Sequence, residues 1–225
     1  MDINRSQKKP IVSIIIRTYN RAHLLPRAIK SVLNQTYQDF EIIVVDDGSI
    51  DDTEEVIERF QERDKRIRYI KHTFNKGAPA ALNTGIRAAK GEYIAFLDSD
   101  DEWLPKKLEK QLKVFKESEH DVGLVYTGAI FIDERGKQRI KRATTEGMIL
   151  KEELLYNPIG GFSRAMMRRE CFKKTGWADV NFKNCGDWDL WIRVSQYYRI
   201  KCIDEPLVRY YEHKQSLTAN PNGLI

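Results

Sequence analysis

The chain has 225 residues, 41% hydrophobic and 32% charged, enough for one sizeable core or two small, closely packed lobes. Its 38 basic and 33 acidic residues leave a net charge of +5 spread along the chain, which gives no support for nucleic-acid binding and is compatible with anionic ligands or a membrane surface. There is no repeat, no low-complexity tract, no stretch long enough to span a membrane, no apolar signal region in the polar first ten residues, and no CxxC among Cys171, Cys185 and Cys202; a soluble cytoplasmic protein with reduced thiols is expected, with peripheral contact at the inner membrane face left open.

Ile11 to Ile16 is a β-branched run, the pattern of a strand covered on both faces. A polar turn, Arg17 to Arg21, precedes Leu25, Ala28, Ile29, Val32 and Leu33 at helical spacing. Glu41 to Val45 predicts a second buried strand, closed by Asp46, Asp47 and Gly48, and Asp51 or Asp52 caps a helix reaching about Arg63. Ile67 to Lys71 is a third strand, Gly77 to Lys90 an Ala-rich helix stopped by Gly91, and Tyr93 to Leu97 a fourth strand. Leu104, Leu108, Leu112 and Phe115 form the stripe of the next helix, with the Lys106 to Lys116 run on its solvated side. Four strand–helix alternations predict a mostly parallel α/β sheet with helices on both faces.

The second half is less regular. Val122 to Tyr126 and Ala129 to Ile132 read as strands, followed by a loop-rich stretch with Gly147, Pro158, Gly160 and Gly161. Cys185 to Tyr198 predicts a helix with Asp187 as its N-cap candidate, and Ile200 to Ile203 and Leu207 to Tyr211 two short strands. One domain is expected over 1–225, built from a regular first half (11–105), a second half (106–212) with a smaller sheet, and a mobile polar tail (213–225).

In open α/β sheets ligands bind beyond the carboxyl ends of the strands. Two strands here end in acid, "IIVVDDGS" (42–49) and "YIAFLDSDD" (93–101), and "RTYNR" stands where a dinucleotide fold needs G-x-G-x-x-G. Like charges so close repel, so solvent must absorb the charge or something positive must sit among them. Asp98 and Asp100 suit one hard divalent cation, which in turn carries an anionic diphosphate; Asp46 and Asp47 serve equally as turn formers before Gly48.

With these motifs the chain resembles the family 2 glycosyltransferases, inverting nucleotide-sugar enzymes of the GT-A fold. The likeness is carried by "VSIIIRTYNRAHLLPRAIKSVLNQTYQDFEIIVVDDGSIDDT", "NKGAPAALNTGIRAAKGEYIAFLDSDDEWLPKKL", "GFSRAMMRRECFKKTGW" and "CGDWDLWIRV", and runs from about Ile11 to Thr218. It implies that Thr18, Tyr19 and Asn20 line the nucleotide pocket, that Asp47 accepts the ring NH of the base, usually uracil, and that Asn75, Gly77 and Asn83 border the nucleotide. It implies an Asp98-Ser99-Asp100 motif in which Asp100 contacts Mn²⁺ or Mg²⁺ and Asp98 the ribose or a metal-bound water, with Asp101 behind them and His213 on a C-terminal loop reaching the metal or diphosphate. Lys214 and Ser216 are weaker diphosphate candidates, and Leu82 stands where many members carry Arg. Asp187 resembles the general base, with Asp189 as runner-up; Trp188 or Trp191 stacks on an acceptor sugar or simply packs in the core.

The expectation is a metal-dependent inverting transferase. Its donor is a nucleotide diphospho-sugar, UDP-linked first, and its acceptor a glycan or polyprenyl-linked saccharide, as in bacterial surface polysaccharide synthesis. The Gly-rich basic loop of a nucleotidyltransferase is missing here, and the intact Asp47, Asp98, Asp100 and Asp187 speak against a non-catalytic sugar-nucleotide binder.

Overall fold

In the computed structural model, which describes residues 9–182 and 184–213, the expected strands are β1 (Val12–Thr18), β2 (Phe40–Asp46), β3 (Ile67–Lys71) and β4 (Tyr93–Asp98). They pair in parallel in the order β3-β2-β1-β4. The chain walks outward from β1 to β3 and then returns to the other side of β1, which makes the β1/β4 boundary a topological switch point. Residues alternate between two cores: Ile14, Ile16, Ile42 and Val44 face α1 (Leu25–Leu33) and α2 (Thr53–Arg63), whereas Ile15, Ile43 and Val45 face α3 (Ala78–Ala88). That two-sided burial is why these strands read as unbroken apolar runs.

The same sheet continues through the second half. β5 (Glu102–Trp103), β6 (Val122–Ile132), β7 (Gln138–Lys141), β8 (Ala165–Arg168) and β9 (Arg199–Tyr211) extend it in the order β3-β2-β1-β4-β8-β6-β9-β5, with β7 on β6. Helix α4 (Lys107–Glu117) joins the first core through Leu108, Leu112 and Phe115. The stretch expected to be loop-rich also holds α5 (Leu150–Tyr156) and α6 (Phe172–Thr175), and α7 (Gly186–Ser195) packs Leu190, Trp191 and Val194 into the second core. Among the described residues no helix is long and apolar enough to cross a membrane. Residues 214–225, with Lys214, Ser216 and nearly all of the expected tail, lie outside the described residues.

Three local expectations are corrected. The paired short strands are single long ones, β6 and β9. Gly128 and Pro206 sit at register shifts where the Glu205 backbone comes within 3.0 Å of a Cβ built on Gly128, a bulge that accommodates both. Gly91 is not a helix cap: a Cβ there would fall 2.6 Å from the Ser13 nitrogen, so the glycine allows a close backbone crossing of β1. Lys107 is not on a solvated face. It is fully buried, with Nζ donating to Gln111 Oε1 at 2.8 Å and standing 4.1 Å from the Trp103 ring centroid, and burial pulls its pKa well below the usual lysine value.

Candidate active site

The carboxyl ends of β1 and β4 lie side by side at the switch point, where Arg17 and Asp98 are register partners. Arg17 donates through Nε and Nη2 to Asp98 Oδ1 at 3.0 and 2.9 Å, and its guanidinium lies 4.7 Å from the Phe162 ring centroid. Burial pulls the Arg17 pKa down, but Asp98, Asp187 and Asp100 push it up, and the net shift is upward. A permanently charged group therefore sits within the electrostatic reach of three carboxylates.

The acidic run is matched residue by residue. Asp100 Oδ2 accepts from Arg21 Nη1 and lies 3.0 Å from His213 Nε2, while Arg27 Nη2 donates to the Asp100 carbonyl at 2.5 Å and stacks 3.6 Å from the Tyr211 ring centroid. Glu102 accepts from Arg209 at 3.0 Å and from the Tyr211 hydroxyl at 2.9 Å. Asp101 is buried and accepts from Ser163 Oγ at 2.5 Å; burial, with Asp100 and Asp98 beside it, raises its pKa well above the carboxylate range. Ser163 also accepts from the Asp98 amide at 3.0 Å, which fixes the strand end. Much of the positive counterpart is thus arginine, a role the sequence reading did not give to Arg17, Arg21 or Arg27. Ser99 is buried within the turn.

Among the described residues no three His, Cys, Asp or Glu side chains converge as a closed metal site. The donors present, one carboxylate and one imidazole, fit a six-coordinate divalent ion that accepts nitrogen beside oxygen, such as Mn²⁺, better than Mg²⁺. Asp100 Oδ2 and His213 Nε2 are 3.0 Å apart, about the separation of two adjacent ligands on an octahedral ion with ~2.1 Å bonds, and such ions take only one or two protein ligands when phosphate oxygens complete the shell. Asp98 stands two residues earlier, at the end of β4, bound to Arg17.

The residues at the end of β2 organise a loop. Asp46 is wholly buried and accepts from the Ser49 amide at 2.8 Å and the Tyr69 hydroxyl at 2.7 Å. Asp47 is 3% exposed; its Oδ1 accepts from the Lys76 amide at 2.9 Å and lies 2.7 Å from His72 Nδ1, and its Oδ2 accepts from the Gly77 amide at 2.7 Å. Gly48, at φ +81, permits this approach, because a Cβ would sit 2.7 Å from the Phe74 carbonyl carbon. Asn20, at φ +51, accepts from the Ile50 amide at 2.9 Å, Asn75 accepts from the Gly77 amide at 3.0 Å, Thr18 is buried and Tyr19 is exposed. A cleft of about 380 Å³ is lined by Asn75, Lys76, Gly77, Ala78, Pro79 and Val180. Asn83 is turned elsewhere: its amide binds the backbone of Ala178 at both ends. Leu82 is core.

Asp187 stands in the first turn of α7. It is not the N-cap, since Cys185 takes that position at φ +58 and the Asp187 Oδ1 accepts from the adjacent Trp188 amide at 2.8 Å. Burial raises its pKa and Asp98 adds to that, against the Trp188 amide and Arg17, with a net upward shift. Asp189 is engaged with Arg193 one turn on, at 3.1 and 2.5 Å. Trp191 is buried against Phe96 and Phe162 with its Nε1 on Gly160 O at 2.6 Å, and Trp188 Nε1 donates to Glu153 O at 2.5 Å, so the packing alternative describes Trp191.

Glu153 has no sequence signal. It is wholly buried, its Oε1 accepts from the Ile159 amide at 3.2 Å, and its Oε2 has no partner among the described residues. Burial lifts its pKa to about 7, with Asp187 adding and the Ile159 amide, Lys141 and Arg164 opposing. The folded chain therefore keeps a proton that the unfolded chain releases above the ordinary glutamate value, and stability falls as pH climbs through that window toward 7. Glu153→Gln should melt higher than the parent at pH 8, by at most about 3 kcal/mol of stability, and near the parent at pH 4.5. Melting curves at the two pH values check this, and an unchanged offset between them would count against a buried proton.

The family model for glycosyl transferase family 2 matches residues 13–176, which include the Asp47 and Asp98–Asp100 segments and stop short of Asp187 and His213. An uncharacterized glycosyltransferase of Methanocaldococcus jannaschii is 36% identical over 90% of this chain and 71% of its own length. TuaG of Bacillus subtilis, a glycosyltransferase named for teichuronic acid biosynthesis, is 31% identical over 94% of this chain and 83% of its own. Among solved structures, S. aureus TarS 1-349 in complex with UDP superposes with a TM-score of 0.71 at 19% identity, over 90% of this chain and 61% of that one. A Pyrobaculum calidifontis mannosyltransferase in complex with GDP-Man and Mn²⁺ gives 0.73 at 22% identity, over 93% and 59%. The fold is that of these GT-A enzymes, and the chain belongs to glycosyl transferase family 2.

Proposed function

We propose that this chain catalyses metal-dependent, inverting transfer of a sugar from a nucleotide diphospho-sugar, UDP-linked in the first instance, to a hydroxyl of a glycan or lipid-linked saccharide. The observation that carries it is the Arg17–Asp98 pair at the carboxyl ends of β1 and β4, with Asp187 of α7 within electrostatic reach of both. The complexes of TarS with UDP and UDP-GlcNAc support a uridine donor, and that of the mannosyltransferase with GDP-Man and Mn²⁺ supports the cation. The TuaG name supports a surface polysaccharide acceptor, and work at the cytoplasmic face of a membrane suits such a pair of substrates.

In this reading residues 11–105 hold the donor and 106–212 the acceptor. Asp100 and His213, with Asp98 beside them, would hold the divalent cation, which when bound neutralises charge on the departing diphosphate. Arg17, Arg21 and Arg27 add fixed positive charge at the same strand ends. Asp187 takes the proton from the acceptor hydroxyl as that oxygen attacks the anomeric carbon opposite the leaving group, and its raised pKa brings it nearer a working base than an ordinary aspartate.

A thermal-shift series tests the donor and the cation together. UDP with Mn²⁺ should raise the melting temperature by several degrees, and UDP with a chelator much less, because only ligand that prefers the folded state stabilises it. Equal shifts with and without the metal would remove the cation, and a larger shift with GDP than UDP would reassign the base.

A further inference from the structure

The buried amide of Asn83 in α3 makes a closed pair with one residue 95 positions away. Its Nδ2 donates to Ala178 O at 2.8 Å and its Oδ1 accepts from the Ala178 amide at 3.0 Å, with Asn83 and Ala178 each 5% exposed. One turn along the same helix, Arg87 lies 4.7 Å from the Trp177 ring centroid, and its Nε donates back to Asn83 O at 3.2 Å. The segment 176–182 is thereby fastened from the donor side. Its start is fastened from α6 and α7, through Gly176 N to Phe172 O at 3.1 Å and through Arg193 Nη1 to Thr175 O. Past the clamp, Asp179 turns the chain by accepting from the Asn181 amide at 2.9 Å. Val180, 58% exposed, stands at that turn as the one second-half residue among those lining the cleft over Asn75, Lys76 and Gly77.

We propose that Asn83 is a positioning residue that holds the 176–182 segment by its backbone, so that Val180 forms a wall of the nucleotide cleft and touches the bound donor. This rests on the nucleotide-sugar reading above. The side chain is suited to the task. A primary amide presents a donor and an acceptor side by side, as a backbone unit does, and so satisfies both polar groups of Ala178 where water does not reach. Aspartate keeps the acceptor and sets a second oxygen against the Ala178 carbonyl. Glutamine carries the same groups one carbon too far. Val180 is apolar and uncovered beside polar loop amides, so the face of the nucleotide base laid across it would take apolar surface out of water. Asn83 itself is too deep and too fully engaged to reach the cleft.

The test is a double-mutant cycle in the full chain with UDP and Mn²⁺ as the probe. Asn83→Asp and Val180→Ala should each weaken UDP about three- to tenfold, and the double variant should be no more than about twofold weaker than Asn83→Asp alone, because residues acting through one contact are not additive. In Asn83→Asp, amide hydrogen exchange over 176–182 should rise about tenfold while that of β1 and β4 stays at the parent rate, a local opening. Arg87→Ala, at an exposed position, should raise the same exchange about threefold without threatening the fold. Multiplying effects in the double variant, or weaker UDP binding with unchanged loop exchange, would mean that Asn83 meets the nucleotide directly and would overturn the proposal. A parent chain that ignores UDP, together with faster loop exchange in Asn83→Asp, would sink the donor assignment and leave the clamp standing.

Discussion

Asp187→Asn should lower sugar transfer by about 10²–10⁴-fold, the usual range for loss of a general base, and leave UDP affinity within a few-fold of the parent. Asparagine keeps the size of the side chain and can still accept from the Trp188 amide, so the first turn of α7 has no reason to move. What disappears is a basic oxygen beside Arg17 and Asp98. The parent should also show an acidic limb in kcat above the ordinary aspartate range. Burial favours the protonated carboxyl, which cannot take the acceptor proton, so activity is lost on acidification earlier than for an exposed aspartate. Near-normal transfer by Asp187→Asn would hand the role to another group. Asp189 would then have to leave its two bonds to Arg193.

The parts of the fold that were legible are those written in a local period. β1 and β2 are buried on both faces, so each announces itself as a run, and α1 and α4 show stripes at helical spacing. Lys107 was misjudged because its burial is decided by Trp103 and Gln111, not by the stripe alone. β6 and β9 read as two short strands each, because a bulge shared with a neighbouring strand leaves no trace in one strand's sequence. α5 and β7 are short and mostly or wholly exposed, with little apolar period to read.

The site divides the same way. The carboxylates stand in motifs, so the sequence offers Asp47, Asp98, Asp100 and Asp187 as candidates. It does not offer their partners. Arg17 meets Asp98 across 81 positions, Arg21 meets Asp100 across 79, and His72 approaches Asp47 across 25. Nor does a motif tell how its atoms are engaged. Asp47 already accepts from the Lys76 and Gly77 amides, so under the proposed function a base NH would share an oxygen with the loop that the same carboxylate holds. Changing Asp47 would loosen the loop along with the base contact. Loss of UDP affinity at that position therefore cannot by itself separate the two.

Asp100→Ala should remove the Mn²⁺-dependent part of UDP binding and lower transfer by about 10³-fold or more, since a bound cation supplies several kcal/mol of charge stabilisation to a phosphate leaving group. The metal-free part should behave differently. Asp100 holds Arg21, so its removal leaves that guanidinium without the carboxylate that attracts it. Arg21 then faces whatever anion enters, and UDP in the presence of a chelator should bind the variant at least as well as it binds the parent. A plain structural collapse predicts the opposite, with metal-free and metal-dependent binding lost together. Titrating UDP into parent and variant, each with Mn²⁺ and with chelator, separates the two. A variant in which Mn²⁺ still strengthens UDP binding as much as in the parent would take Asp100 out of the cation site. Adding Arg21→Ala to Asp100→Ala should then weaken the metal-free binding again, since it removes the guanidinium that the first change released.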